Sequence, residues 1–203
     1  MGPGRVAGRQ KKVTDRHATL AFTDESGFLL LPPVRRTLAR RAHAAPLRYR
    51  GRHREKVSAA AALTLSPSRG HAGLYSRTYP NAYVNAAAYA DFLRGLLRRC
   101  ANPLVVVHDR GNMHSGDPVR QLLRDFPRLD LNLLPPYAPE LNPPEQLWNF
   151  AKDKELSNFV PRDVAECDAV LKRLLEDVRH DQPRLRSSFA ATPLPWDPLT
   201  VFF

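Results

Sequence analysis

The periods of apolar and polar residues along the chain predict a run of strands followed by alternating helices and strands. Residues 18–31, ATLAFTDESGFLLL, read as a strand, a turn at Ser26-Gly27 and a second strand. Residues 57–65, VSAAAALTL, are apolar without alternation and suit an internal strand. Residues 73–78 suit the next strand and close an antiparallel section. From Asn85 the period becomes helical, with Tyr89, Phe92, Leu93, Leu96 and Leu97 on one face and Arg98 and Arg99 near the end. Leu104, Val105, Val106 and Val107 form a β-branched run that predicts a strand buried on both faces. Asp117-Pro118 opens another helix, with Val119, Leu122, Leu123 and Phe126 as its stripe. Residues 131–134 make a short strand. A Pro-rich crossing, 135–144, leads into a helix with Asn142 at its N-cap and Pro143 at its first position. The last predicted helix covers residues 163–180, and its face is Val164, Cys167, Val170, Leu171, Leu174, Leu175 and Val178. Beyond Pro183 the chain is Pro-rich and reads as a tail. This order fits an α/β fold, a mixed sheet with helices on its faces.

Two acids stand out against this frame. Asp109 follows the buried 104–107 run, and the carboxyl end of such a strand is where open α/β sheets place ligands. Glu145 follows with 35 residues in between, in the first turn of the helix that Asn142 opens. Asp24 ends the first strand and is a third candidate. Each has an ordinary structural explanation. Asp24 can serve the turn before Ser26-Gly27, and Asp109 can be a loop acid. Asn142 and Glu145 have capping-box spacing, in which the glutamate accepts from the cap residue's backbone N–H. Together the three can hold two magnesium ions, which prefer hard oxygen ligands and keep several waters. Without cations the three charges would raise one another's pKa values. Glu25 points to the opposite face of the strand from Asp24 and reads as a supporting acid. His108 and His114 lack a third partner at zinc-binding spacing. Trp148, three residues past Glu145, reads as core packing.

Charge adds a partner. The 203 residues carry a formal net charge of +11, which favours a polyanion, and nucleic acid is the common one. Nine Lys or Arg residues crowd into 35–56 against the single acid Glu55. Arg35, Arg36, Arg40, Arg41, Arg48, Arg50, Arg52, Arg54 and Lys56 are the candidates for DNA-backbone contact. Cys100 and Cys167 form no metal or redox motif and suit free thiols in a reducing compartment. No apolar run approaches the length of a membrane span, and residues 1–16 are Gly- and Arg-rich without a secretory core. A cytoplasmic, nucleoid-associated location without a membrane partner is expected.

FTDESGF, VVHDRGNMHSG and LPPYAPELNPPEQLW resemble, in that order, the three motifs of mariner-like insertion-sequence transposases of the DDE endonuclease superfamily. The resemblance covers residues 18–179, including Val160-Pro161-Arg162-Asp163 after the last motif. It implies a ribonuclease H-like mixed sheet with helices on both faces, two Mg2+ or Mn2+ ions, and DNA strand cleavage and transfer. Carried over by position, Asp24, Asp109 and Glu145 become catalytic metal ligands, and His114 and Asn142 line the site. Arg110 departs from the family, where Asn is common after the aspartate. Family members also carry helix-turn-helix domains before the catalytic one, and about twenty residues before Asp24 are too few for such a module. The expected organisation is a flexible basic segment (1–16), a catalytic domain (17–182) and a Pro-rich tail (183–203). The expected partners are double-stranded DNA at element ends and target, a second copy of the chain, and an upstream helix-turn-helix chain. The rival expectations are an idle truncated remnant that only binds DNA, another ribonuclease H-like nuclease such as a junction resolvase, and a basic structural protein whose acids are caps and turns.

Overall fold

A computed structural model describes residues 17–31, 55–66 and 71–194. Strands β1 (Thr19–Leu29), β2 (Lys56–Ser66) and β3 (His71–Pro80) are antiparallel neighbours. Strands β4 (Leu104–His108) and β5 (Leu129–Leu133) run parallel to β1 on its other side. The sheet order is therefore β3-β2-β1-β4-β5. Helices α1 (Ala86–Arg99) and α2 (Asp117–Asp125) cover one face. Helices α3 (Pro144–Phe150), α4 (Val164–His180) and α5 (Gln182–Ala190) cover the other. The expected mixed sheet with helices on both faces is what forms.

Burial on both faces explains the composition of the central strands. In β2 the side chains of Ala59 and Ala61 join the core under α3 to α5, while Ala60 and Ala62 join the core under α1 and α2. Small side chains on both faces let helices pack closely on each side of the strand. All five residues of β4 are buried. On the α1 side, Tyr75 from β3 packs on Phe92 with ring centroids 5.0 Å apart. A side chain at Gly95 would overlap the Tyr75 hydroxyl, so glycine there permits the close approach.

Local signals set the helix ends. The Asn85 side chain accepts from Ala88 N–H to cap α1, and Asp163 accepts from Glu166 N–H to cap α4. The predicted stripes face the cores: Tyr89, Phe92, Leu93, Leu96 and Leu97 on α1 are buried, as are Val119 and Leu122 on α2 and Cys167, Leu171, Leu174, Leu175 and Val178 on α4, while Leu123, Phe126, Val164 and Val170 are partly buried. Cys100 and Cys167 are not joined to each other in a disulfide.

Three expectations are corrected. No turn interrupts β1 at Ser26-Gly27. The strand runs for 11 residues, because Ser26 and Gly27 continue the ladder opposite Ala59 and Ser58 of β2. A full set of cross-strand bonds outweighs the local turn preference of Ser-Gly. The strand predicted at 131–134 is β5, Leu129–Leu133, shifted by its pairing with Leu104–His108. The Pro-rich stretch after Pro183 begins with α5, where Pro183 sits in the first turn and its missing N–H leaves no intrahelical bond unmade.

Helix α5 closes the core. Leu185 and Phe189 are fully buried, and the Phe189 ring meets Phe22 of β1 edge-on at 6.2 Å. Phe189→Ala should lower unfolding free energy by about 3–5 kcal/mol in urea denaturation. A loss under ~1 kcal/mol would mean that the ring contributes little to the core.

Candidate active site

The parallel register of β1 and β4 brings two acids to one level. Thr19 pairs with Leu104 and Phe22 with Val107, so the same offset sets Asp24 level with Asp109, just beyond the last pair. Adjacent strands lie about 4.8 Å apart. Glu145 comes from above, in the first turn of α3. Asp24, Asp109 and Glu145 line one cleft of about 500 Å³, together with Arg110, Gly111, Asn142 and the loop from Leu134 to Pro139. Among the described residues, no three His, Cys, Asp or Glu side chains stand close enough to hold one ion. The carboxylates share the cleft without closing on a common point.

Asp24 is buried, and its carboxyl pKa is pushed up to about 8, first by that burial and then by Glu145, Glu25 and Asp109. The indole Nε1–H of Trp148 donates to Asp24 Oδ2 at 2.9 Å and pulls the other way. Trp148 is itself buried against Phe28, with ring centroids 5.8 Å apart. The predicted packing role holds, and the hydrogen bond is additional.

Asp109 is held from the opposite face. Its Oδ1 accepts from Gly111 N–H at 2.8 Å and lies 3.0 Å from His114 Nδ1. The other ring nitrogen, Nε2, is 3.2 Å from Glu25 Oε1. Burial disfavours the charged imidazole, yet Glu25 and then Asp109 outweigh it and raise the His114 pKa above its ordinary value. The His114 ring packs on Tyr89 at 4.3 Å, and the Tyr89 hydroxyl shares a 2.9 Å hydrogen bond with Thr23 Oγ1. His108 is buried beside it, with Nδ1 at 2.7 Å from the Asp109 carbonyl oxygen. Glu25 therefore has the supporting place expected of it, behind the sheet from Asp24.

The capping box does not form. Asn142 N–H donates to the Pro139 carbonyl at 2.9 Å, which leaves Glu145 without that partner. The helix starts at Pro144, two residues after Asn142, with no side-chain cap. Glu145 N–H donates to the Asn142 carbonyl at 3.0 Å. Asn142 is buried, and among the described residues its side-chain Oδ1 has no hydrogen-bond partner. An oxygen in that position wants a donor or a cation.

Of the basic residues singled out, Lys56 is described. It starts β2, and its ammonium lies over the Tyr83 ring, 3.0 Å from the centroid. Arg35, Arg36, Arg40, Arg41, Arg48, Arg50, Arg52 and Arg54 lie outside the described residues. Sequence reasoning missed the contacts of Trp148, Tyr89 and Thr23. A usable signal existed for Trp148, since a buried indole N–H needs an acceptor. No signal joined Thr23 to Tyr89, which are 66 positions apart.

A family model described as DDE superfamily endonuclease matches residues 19–165. A relative, the uncharacterized protein y4pE/y4sA of Sinorhizobium fredii, is 34% identical over 76 residues, covering 36% of this chain and 53% of that protein. The Mos1 transposase paired-end complex with left transposon end aligns with a TM-score of 0.64 at 18% identity, over 98% of this chain and 59% of that one. The mariner Mos1 paired end complex with Mg aligns with a TM-score of 0.60 at 18% identity, over 93% and 57%. The chain thus spans between half and three-fifths of the length of these proteins. The likeness establishes the ribonuclease H-like fold. Among the described residues no helix is long and apolar enough to cross a membrane.

The raised Asp24 pKa has a thermodynamic signature. The folded state keeps this proton up to about pH 8, whereas the unfolded carboxyl releases it near 3.8. The folded state therefore binds more protons across that window, and stability falls as pH rises through it. In metal-free buffer Asp24→Asn should be more stable than the parent at pH 8, with the gap shrinking towards pH 4. A gap in urea unfolding that is independent of pH would contradict the assignment.

Proposed function

This chain belongs to the DDE superfamily of endonucleases, and we propose that it is the catalytic domain of a transposase, which cleaves DNA strands and joins the ends to target DNA. The observation that carries the reading is the cleft shared by Asp24, Asp109 and Glu145, supplied by a strand, a strand end and a helix start.

The donor set fits hard divalent cations. Three carboxylates and the unpartnered amide oxygen of Asn142 are all oxygen donors, the preference of Mg2+ and Mn2+. Asp24, Asp109 and Glu145 would hold two such ions. When bound, the pair activates the attacking hydroxyl and neutralises charge on the leaving oxygen. The chain's own residues prepare that chemistry. Asp24 gives up its proton to become a ligand, and Trp148 fixes which oxygen faces the cleft. His114 and the Gly111 amide hold the Asp109 carboxylate in place. Arg110, on the cleft wall, brings a positive charge for a DNA phosphate. Lys56 and the basic run 35–54 contact the DNA backbone, with little reading of bases. A pair of element ends needs two such sites, so the active complex holds at least two copies of the chain, with an upstream helix-turn-helix chain as the source of sequence recognition.

Asp109→Asn should abolish Mn2+-dependent nicking of supercoiled plasmid while salt-sensitive DNA binding remains. Nicking by the purified variant at the parent rate would refute the ligand role. Trp148→Phe removes the indole donor and keeps most of the packing, so nicking should fall by about 10- to 100-fold, the range for supporting partners of metal ligands. Manganese should also raise the melting temperature of the parent chain and leave the Asp24→Asn, Asp109→Asn double variant unmoved. An equal rise in both would place the ion elsewhere.

A further inference from the structure

Tyr137 has no place in the scheme above, although it lines the same cleft as the three acids. Its side chain is fully exposed. Its backbone has φ 55°, in the left-handed region that favours glycine or asparagine. A tyrosine there gains no packing among the described residues to offset that preference. The loop that carries it is anchored at both ends. Leu134 N–H donates to the His108 carbonyl at 2.7 Å, which ties the loop's start to β4. Pro135 and Pro136 precede the tyrosine, and Ala138 to Asn142 wind into a 3-10 turn closed by Leu141 N–H to Ala138 O at 3.1 Å. Proline restricts the backbone on both sides. The ring is thus offered to solvent in the cleft that the carboxylates line.

We propose that Tyr137 is a stacking platform for an unpaired nucleobase of the DNA strand that enters the carboxylate cleft, adjacent to the phosphate being cut. The proposal rests on the transposase reading. Its chemistry is separate from metal binding: a flat aromatic face stacks on any base, tolerates sequence, and loses few side-chain degrees of freedom. A paired base has both faces covered by its neighbours, so the base that reaches Tyr137 has left the helix. The ring would then hold a nucleotide flanking the scissile phosphate and fix that phosphate in the cleft. Tyr137 acts by positioning.

The probe is a single strand of about twelve thymidines, within the site sizes of single-strand binders, compared with an abasic strand of the same length. Binding is measured with calcium ions by fluorescence anisotropy. The parent chain should prefer the base-bearing strand by about tenfold, the lower part of the range for one stacked base. Tyr137→Ala should bind both strands equally, with an unchanged melting temperature as the fold check. Tyr137→Phe and Tyr137→Trp should keep the preference, and the new tryptophan emission should be quenched by the thymidine strand and not by the abasic one. A parent without preference, or a Tyr137→Ala chain that retains it, overturns the proposal. The two readings fail separately. Plasmid nicking that persists in Asp109→Asn removes the transposase reading. Nicking lost there, with base preference intact in Tyr137→Ala, removes the stacking role alone.

Discussion

The parallel pairing of β1 with β4 is the constraint on which the site depends. Once Thr19 faces Leu104, Asp24 stands level with Asp109. A slip of one residue would turn Asp24 towards Tyr89 and Glu25 towards Trp148. Buried apolar side chains on both faces of these strands prevent that slip. Ala21 and Val106 belong to the core under α1, while Phe22 and Val107 belong to the core under α3 to α5. The hydrophobic cores therefore act at a distance, by holding two carboxyls side by side.

The sheet also divides the work between its faces. Above it, Trp148 grips Asp24 and α3 delivers Glu145. Behind it, Glu25, His114, Tyr89 and Thr23 form a buried polar chain that reaches Asp109. Such a chain is worth having only when each member is satisfied. Here each His114 ring nitrogen faces a carboxylate oxygen, and the raised imidazole pKa follows from that placement. Asp109, at the surface end of the chain, is thereby fixed by groups set deeper in the protein.

The legible parts of the molecule were those written in local or strictly periodic terms. Asn85 and Asp163 announce their helices because a short polar side chain caps the first turn, and the apolar stripes behind them have one period each. The 104–107 run could be little other than an interior strand. Asp109 and Glu145 were legible as candidates through their element ends, and all three acids through motif spacing, which also brought Asn142 and His114 forward; Asp24, read as a strand end, lies inside β1. Where long-range pairing decides, local reading failed. Ser26-Gly27 looks like a turn until β2 is beside it, and Pro183 looks like a terminator until it occupies a helix's first turn. Trp148 shows a third kind of limit. A tryptophan that packs and one that also donates a hydrogen bond are the same letter in the same stripe, and the difference is a single acceptor on another element.

The bare start of α3 has its own consequence. Asn142 and Glu145 have the spacing to secure that helix against fraying, and neither does so. Among the described residues these two polar groups leave that helix entry unmade, at the expense of a stabilisation of about 1 kcal/mol that a well-made one would provide. Evolution for sturdiness and evolution for chemistry thus pull in opposite directions at these four residues. A redesigned chain with a tidy entry to α3 would gain robustness by engaging the very oxygens that the proposed metal site would use.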